Sequence, residues 1–386
     1  MMDVGASGRD GVAGGGCSRE SREGSFGSLA GLTPGDPAPW FTGRTGSNPR
    51  YVFASAAGRW VVLCFLGSAA EPAAAAALRA VAARRRLFDD ERACFFGVSA
   101  DPEDEAQGRL RQSVPGIRYF FDRDGAIGRL YGAVREGEPF RPLWLVLDPM
   151  LRVVAVLPLA QAEAALRLVE ALPPPAAHAG VEQVAPVLIL PRVLEPALCR
   201  HLIGLYERHG GRESGFMREI EGRTVLVSDP AHKRRADHAI EDAATRRALR
   251  ERIVRRLLPE IHKAFQFQAT RMERYIVSCY DSAEGGHFRP HRDNTTKGTA
   301  HRRFAVSINL NAEEYEGGDL RFPEFGPRCY RPPTGGAVVF SCSLLHEATP
   351  VSVGRRYAFL PFLYDEAGAR QREAGRASLG EAAPAG

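Results

Sequence analysis

Gly336-Ala-Val-Val-Phe-Ser341, then His346-Glu-Ala-Thr-Pro-Val351, then Gly354-Arg-Arg-Tyr-Ala-Phe-Leu360 reads as strand, turn and strand. The apolar runs are short and bounded by Gly and Pro, as buried strands are. His346 stands just beyond the first run. Upstream, His291-Arg-Asp293 places two potential metal ligands at i and i+2, and in an extended segment such side chains leave the same face. Two imidazoles and one carboxylate form the ligand set of a non-haem Fe(II) facial triad, with three coordination positions left open. Those positions suit a bidentate 2-oxo acid and dioxygen. The distal carboxylate of such an acid must be neutralised once buried. Arg356 is the candidate, because an arginine grips a carboxylate with two parallel hydrogen bonds. Alternation along the strand sends Arg355 and Arg356 to opposite faces, and Arg356 is taken as the inward one.

These residues sit within a longer pattern: Ser307-Ile-Asn-Leu-Asn311, Glu316-Gly-Gly-Asp-Leu320 with Phe322-Pro323, and Pro333-Thr-Gly-Gly-Ala-Val-Val-Phe340. The whole resembles the prolyl 4-hydroxylase-type branch of the 2-oxoglutarate/Fe(II)-dependent dioxygenases, over about residues 187–365. The resemblance implies a double-stranded β-helix, or jelly roll, with flanking helices. It implies Fe(II), 2-oxoglutarate and O2, with ascorbate as a further reductant, and release of succinate and CO2. His291, Asp293 and His346 then hold the metal and Arg356 the cosubstrate. Tyr280 and Asn309 fall where the family places side chains contacting 2-oxoglutarate, although Asn309 stands where some members carry tyrosine. An isolated His-x-Asp occurs by chance in many chains and usually marks a solvated turn. Here chance would also have to supply the later histidine, the arginine and the Gly-Gly turn between. His287 and His301 lack a spaced carboxylate partner and read as supporting or surface histidines.

The chain has 386 residues, 44% hydrophobic and 25% charged, enough for two cored domains. No apolar run approaches a membrane span, and the N-terminus lacks a secretory signal. The net charge of +5 is carried by scattered arginines, with Lys233, Lys263 and Lys297 the only lysines. That usage suggests a GC-rich bacterial genome and excludes a basic nucleic-acid stripe. The cluster His232-Lys-Arg-Arg235 reads as a solvated loop. Seven cysteines without a Cys-x-x-Cys fit a reducing cytoplasm. Cys279 and Cys342, in apolar strands, read as small buried hydrophobes.

Residues 1–30 are Gly- and Ser-rich and read as disordered. From 31 to 172, strands Trp60–Leu66 and Ala93–Val98 alternate with an alanine-rich helix from Glu71 to Phe88. A hairpin, Leu143–Leu147 with Val153–Leu157, follows. The alternation gives an α/β layer. With Gly35-Asp-Pro-Ala-Pro39, Phe96-Gly-Val-Ser-Ala-Asp101 and Leu145-Val-Leu-Asp148, this region resembles the peroxiredoxin branch of the thioredoxin fold. The peroxidatic position is empty: residues 67–76 hold no cysteine, and Cys64 lies inside the strand, away from the helix N-terminus that would lower its pKa. The region is therefore expected to be structural or to dock a protein partner.

Residues 173–185 form a proline-stiffened linker. Helices Glu195–His209 and Ala243–Phe265 precede the β-core of a second domain, 186–365, and 366–386 read as a disordered tail. The polar stretch Arg218–Asp242 is expected to be a loop-like lid over the barrel mouth, with Arg223 and Lys233–Arg235 meeting acidic groups. Three readings stay open: a hydroxylase of a peptidyl, prolyl-like substrate, a small-molecule hydroxylase of the same mechanism, and a redoxin-like scaffold with a vestigial iron site.

Overall fold

The computed structural model describes residues 31–220 and 222–380. The expected disorder of 1–30 lies outside them. The first body is a five-stranded sheet ordered Ile117–Phe121, Ala93–Ser99, Trp60–Gly67, Leu143–Leu147, Val153–Pro158. Its first three strands are parallel and the hairpin is antiparallel. Strand Trp60–Gly67 is apolar on both faces, which marks it as central. Trp60, Val62, Cys64 and Leu66 point to helices Pro72–Ala83 and Ala162–Ala171. Val61, Leu63 and Phe65 point to the other side, where Phe53, Phe96, Phe120 and Tyr131 pack. This is the thioredoxin-like fold expected.

The second body is built on two sheets. The larger runs Arg271–Glu273, Phe362–Tyr364, Phe304–Asn309, Arg355–Phe359, Ile276–Asp281, Ala236–Ala239, Arg212–Glu213. Ala337–Ser341 pairs off this path between Phe304–Asn309 and Leu188–Leu190. The smaller runs Lys233–Arg234, His287–His291, His346–Ala348, Leu320–Arg321, Cys329–Tyr330. Together they make the jelly roll expected, and its helices cover the outside of the larger sheet through Leu202, Leu249, Leu257 and Ile261. The second helical stretch contains a π-helical turn, Ile253–Leu257, between Ala243–Arg252 and Leu258–Phe265.

Three expectations need correction. The stretch from Arg218 is no loop: strands Phe216–Ile220 and Arg223–Val227 pair as a hairpin, and further strands follow at Lys233–Arg234 and Ala236–Ala239. The basic cluster within it is not solvated, since Lys233 is 4% and Arg235 8% exposed. Residues 366–380 are not a disordered tail. Helix Glu366–Gly375 starts on Asp365, whose side chain accepts from Gly368 N, and Glu366 pairs with Arg271 at 3.1 Å. Capping and this tether stabilise a segment whose composition alone suggests none.

The two bodies touch closely. Leu345, from the jelly roll, is fully buried in the core of the first body beside Phe53 and Phe65. In the segment between them, the carbonyl of Pro173 accepts from Trp60 Nε1 at 2.8 Å, and Ala185 N donates to Tyr330 Oη at 2.9 Å.

Candidate metal centre

Strands His287–His291 and His346–Ala348 pair antiparallel with His291 directly opposite His346, and the register shifts between Phe288 and His291. Such a bulge re-aims side chains. Asp293 follows the strand end, its N–H bonded to the carbonyl of Cys342 at 2.9 Å. The structure thereby brings His291, Asp293 and His346 together, with one ligand atom of each within 4.8 Å of the others. His291 Nε2 lies 3.6 Å from Asp293 Oδ1, and His346 Nε2 3.3 Å from Asp293 Oδ2.

Both rings are set for metal binding. His291 Nδ1 meets the carbonyl of Arg289 at 2.8 Å, and His346 Nδ1 that of Leu344 at 3.0 Å. A carbonyl accepts only, so each Nδ1 carries the proton and each Nε2 offers its lone pair. Burial, then His346, holds His291 neutral well below its ordinary range. Phe288 stacks on His291 at 3.5 Å between centroids, and Phe340 meets His346 edge-on at 4.6 Å. These rings fix the imidazole planes.

A small inner cavity of about 60 Å³ joins the triad to Arg356, with Tyr280 and Ser307 on its wall. Register explains the arginine choice: Tyr280 pairs with Arg356, and Asp281 with Arg355. Arg356 is 3% exposed, donates to Ser307 Oγ at 2.9 Å and lies 5.2 Å over the Tyr280 ring. Its Nε has no acceptor, and it makes no ion pair among the described residues. Arg355 turns outward to Asp281 at 2.7 Å. A buried guanidinium without a counter-ion is costly unless an anion arrives. The distal carboxylate of 2-oxoglutarate fits that need, and the two Nε2-presenting histidines with Asp293 fit Fe(II).

Asn309 departs from expectation. Its side-chain amide donates to the carbonyl of Pro332 at 2.8 Å, and it does not line the inner cavity. The residue shares the inward face of its strand but lies beyond Ser307, where the closing turn claims it. Of the other histidines, His287 meets the carbonyl of Gly285 and His301 pairs with Glu273 at 3.0 Å. Cys279 and Cys342 are buried, as expected. Ser307 and the cavity-lining Arg274 carry no sequence signal of their own, and Arg235, expected on a lid over the barrel mouth, lines the inner cavity instead.

A wider cleft of about 660 Å³ opens beside His291 and Asp293. One side is the hairpin at Phe216, Met217 and Leu226, and the other comes from the first body, at Thr42, Asn48, Tyr51 and Ser55. Arg50 bridges the two sides by pairing with Glu219 at 2.9 Å.

Where a peroxidatic cysteine would precede helix Pro72–Ala83, Ser68 donates to Asp101 at 2.6 Å and Ala69 N to Asp104 at 2.8 Å. Cys64 is fully buried, and burial pushes its thiol well up.

Comparison with known proteins agrees with this anatomy. Residues 275–364 match the family model of the 2OG-Fe(II) oxygenase superfamily, and residues 34–156 that of the AhpC/TSA family. A PKHD-type hydroxylase of Pseudomonas fluorescens is 36% identical over 91 residues, 22% of this chain and 39% of that protein. One from Azoarcus sp. is 27% identical over 156 residues, 38% of this chain and 67% of that protein. The chain spans only 39% of the length of two Synechococcus relatives of the same type. Among solved structures, a Trichoplax adhaerens prolyl hydroxylase in complex with a peptide fragment gives a TM-score of 0.36 at 17% identity. That alignment covers 55% of this chain and 95% of that one. Xanthomonas campestris peroxiredoxin Q gives 0.29 at 20% identity, covering 34% and 90%. The chain joins a segment that matches the AhpC/TSA family model to one that matches the 2OG-Fe(II) oxygenase model, and no helix of the described residues is long and apolar enough to cross a membrane.

Proposed function

We propose that this chain is a 2-oxoglutarate- and Fe(II)-dependent dioxygenase that hydroxylates an unactivated C–H bond, with a peptidyl, prolyl-like substrate. The observation that carries the reading is the pairing of an oriented His-Asp-His triad with a buried, counter-ion-free Arg356 across one small cavity. When bound, Fe(II) and 2-oxoglutarate supply the oxygen-activating chemistry: one oxygen atom goes to the substrate carbon, the other to succinate, and CO2 leaves. The protein's part is placement. His291, Asp293 and His346 would hold the metal, leaving coordination positions for 2-oxoglutarate and dioxygen. Arg356, steadied by Ser307 and facing Tyr280, fixes the cosubstrate by its far carboxylate. Phe288 and Phe340 press on the rings of His291 and His346.

The peptidyl reading draws on the breadth of the cleft, whose walls come from both bodies and leave room for several residues of an extended chain. The redoxin-like body, without a thiol at the expected position, serves as a wall and a partner-docking surface. Its place in the cytoplasm of a bacterium and the use of ascorbate as external reductant belong to the same proposal.

The test is to load the protein anaerobically with Fe(II) and 2-oxoglutarate, admit oxygen and measure succinate, with Asp293→Ala as the control that should yield none. Lysate proteins incubated with and without 2-oxoglutarate should then show residues gaining one oxygen by mass spectrometry. A metabolite extract that stimulates succinate release while no protein gains oxygen would replace the peptidyl substrate by a small molecule.

A further inference from the structure

Arg274 lies on the wall of both the outer cleft and the inner cavity. Its φ of 68° is left-handed, a conformation that a residue with a Cβ keeps only when its surroundings impose it. Lys233, Arg235 and Arg302 stand with it, and the carboxylates available to them, besides Asp293 of the triad, are Asp237 and Glu273.

Both carboxylates are already engaged. Asp237 accepts from Arg235 at 2.7 Å, Ser278 at 2.6 Å and Ser214 at 2.5 Å, and reaches Arg274 only at 3.4 Å. Glu273 takes Arg302 at 2.7 Å, His301 at 3.0 Å and Arg372 at 3.4 Å. Lys233 Nζ rests on Ser214 Oγ and the carbonyl of Gly215, with no carboxylate within 4.0 Å among the described residues. The rest of the Arg274 guanidinium finds no protein acceptor among those residues. Burial, then Arg235, pulls Arg274 down to about 10. Arg274 thus stands on the cleft floor beside His291 and Asp293, 28% exposed and matched only by Asp237 at 3.4 Å, and a cation so loosely matched calls for an anionic ligand.

We propose that Arg274, in the field of Lys233 and Arg235, receives an anionic group of the substrate, so that the oxygenase acts on a molecule or peptide bearing a carboxylate or phosphate near the carbon presented to the metal. The inference rests on the dioxygenase reading and adds the substrate's charge to it. Arg356 takes no part, being reserved for the cosubstrate at the far end of the inner cavity.

The full chain, loaded with Co(II) and saturating 2-oxoglutarate at low salt, is titrated by calorimetry with inorganic phosphate and separately with acetate, while the Co(II) absorption is followed. Saturable binding of either anion is expected, phosphate or acetate naming the preferred group. It should weaken at least tenfold in Arg274→Gln, recover in part in Arg274→Lys, and leave the Co(II) spectrum unchanged. Equal binding by the parent and Arg274→Gln, absence of saturable binding, or an anion that alters the Co(II) spectrum by sitting on the metal overturns the proposal. A parent protein that takes up neither Co(II) nor 2-oxoglutarate sinks the dioxygenase reading instead.

Discussion

Arg292, the residue between the candidate ligands His291 and Asp293, donates from Nη2 to the carbonyl of Ala54 in the redoxin-like body at 3.0 Å. The same guanidinium forks onto Glu324 at 2.9 and 3.1 Å and lies 4.4 Å over Trp40. Glu324 Oε2 also accepts from Leu345 N at 2.8 Å, next to the third ligand, while the Leu345 side chain fills the redoxin-like core. The backbone on both sides of the metal site is therefore fastened to the first body through residues adjacent to the ligands.

Breaking this pair should loosen the site. Removing one partner of a buried ion pair costs about 3–5 kcal/mol, because the other is left desolvated. Arg292→Ala should accordingly lower thermal stability and weaken Co(II) binding by tenfold or more, with Arg292→Lys restoring part of each. Unchanged Co(II) affinity in Arg292→Ala would show that the tether serves stability alone.

Arg356 makes the opposite prediction for stability. As a buried cation with no counter-ion in the protein, it costs the ligand-free fold free energy, so Arg356→Met should leave the melting temperature unchanged or raise it. The same change should weaken 2-oxoglutarate binding well over tenfold, given about 2–5 kcal/mol for a truncated buried charge pair. Arg355→Ala, which removes only an exposed bridge to Asp281, should alter 2-oxoglutarate binding little. The reverse ranking of Arg355 and Arg356 by calorimetry would reverse the strand phase assigned here.

What was legible followed from short-range periodicity. The opposite faces of Arg355 and Arg356 need only the alternation of an extended chain, whereas Asp293 meets His291 from the turn after the strand and not from the extended segment that its i, i+2 spacing suggests. The same alternation is present in Lys233-Arg-Arg235, where Lys233 and Arg235 turn inward and Arg234 outward, against the ordinary expectation that a run of charge is solvated. Asn309 was placed by resemblance, and its amide is taken by Pro332, whose position depends on how the turn closes. Contacts such as Arg292 with Ala54 join residues far apart in the chain and have no local signature. The helix after Asp365 did have one, an aspartate cap, outweighed by the composition around it.

The redoxin-like body should not reduce peroxide. Cys64 and Cys94 are fully buried, with Cys94 pushed up to about 12 chiefly by burial, and Cys329, the exposed cysteine of the described residues, is also raised by desolvation. A thiol so raised supplies almost no thiolate at neutral pH. Consumption of hydrogen peroxide or an alkyl hydroperoxide with dithiothreitol should match the uncatalysed rate and be unchanged in Cys64→Ser. A rate that Cys64→Ser abolishes would restore peroxidase chemistry to this body.

Glu273 should make stability depend on acid pH. Burial raises its carboxyl, but the hydrogen bond from His301 and the charge of Arg302 more than offset this and hold it at about 2, below its ordinary 4.5. A carboxylate depressed in the folded state contributes stability that is complete above its unfolded pKa and is lost as pH falls through the folded one. The shift corresponds to about 3 kcal/mol at neutral pH. Glu273→Gln should therefore lower the unfolding free energy in urea by about that much at pH 7. The gap should narrow by about 1 kcal/mol between pH 6 and pH 4, and close only near pH 2. A gap that stays constant from pH 7 to pH 4 would mean that His301 and Arg302 do not hold Glu273 ionised, and that the deficit comes from packing instead.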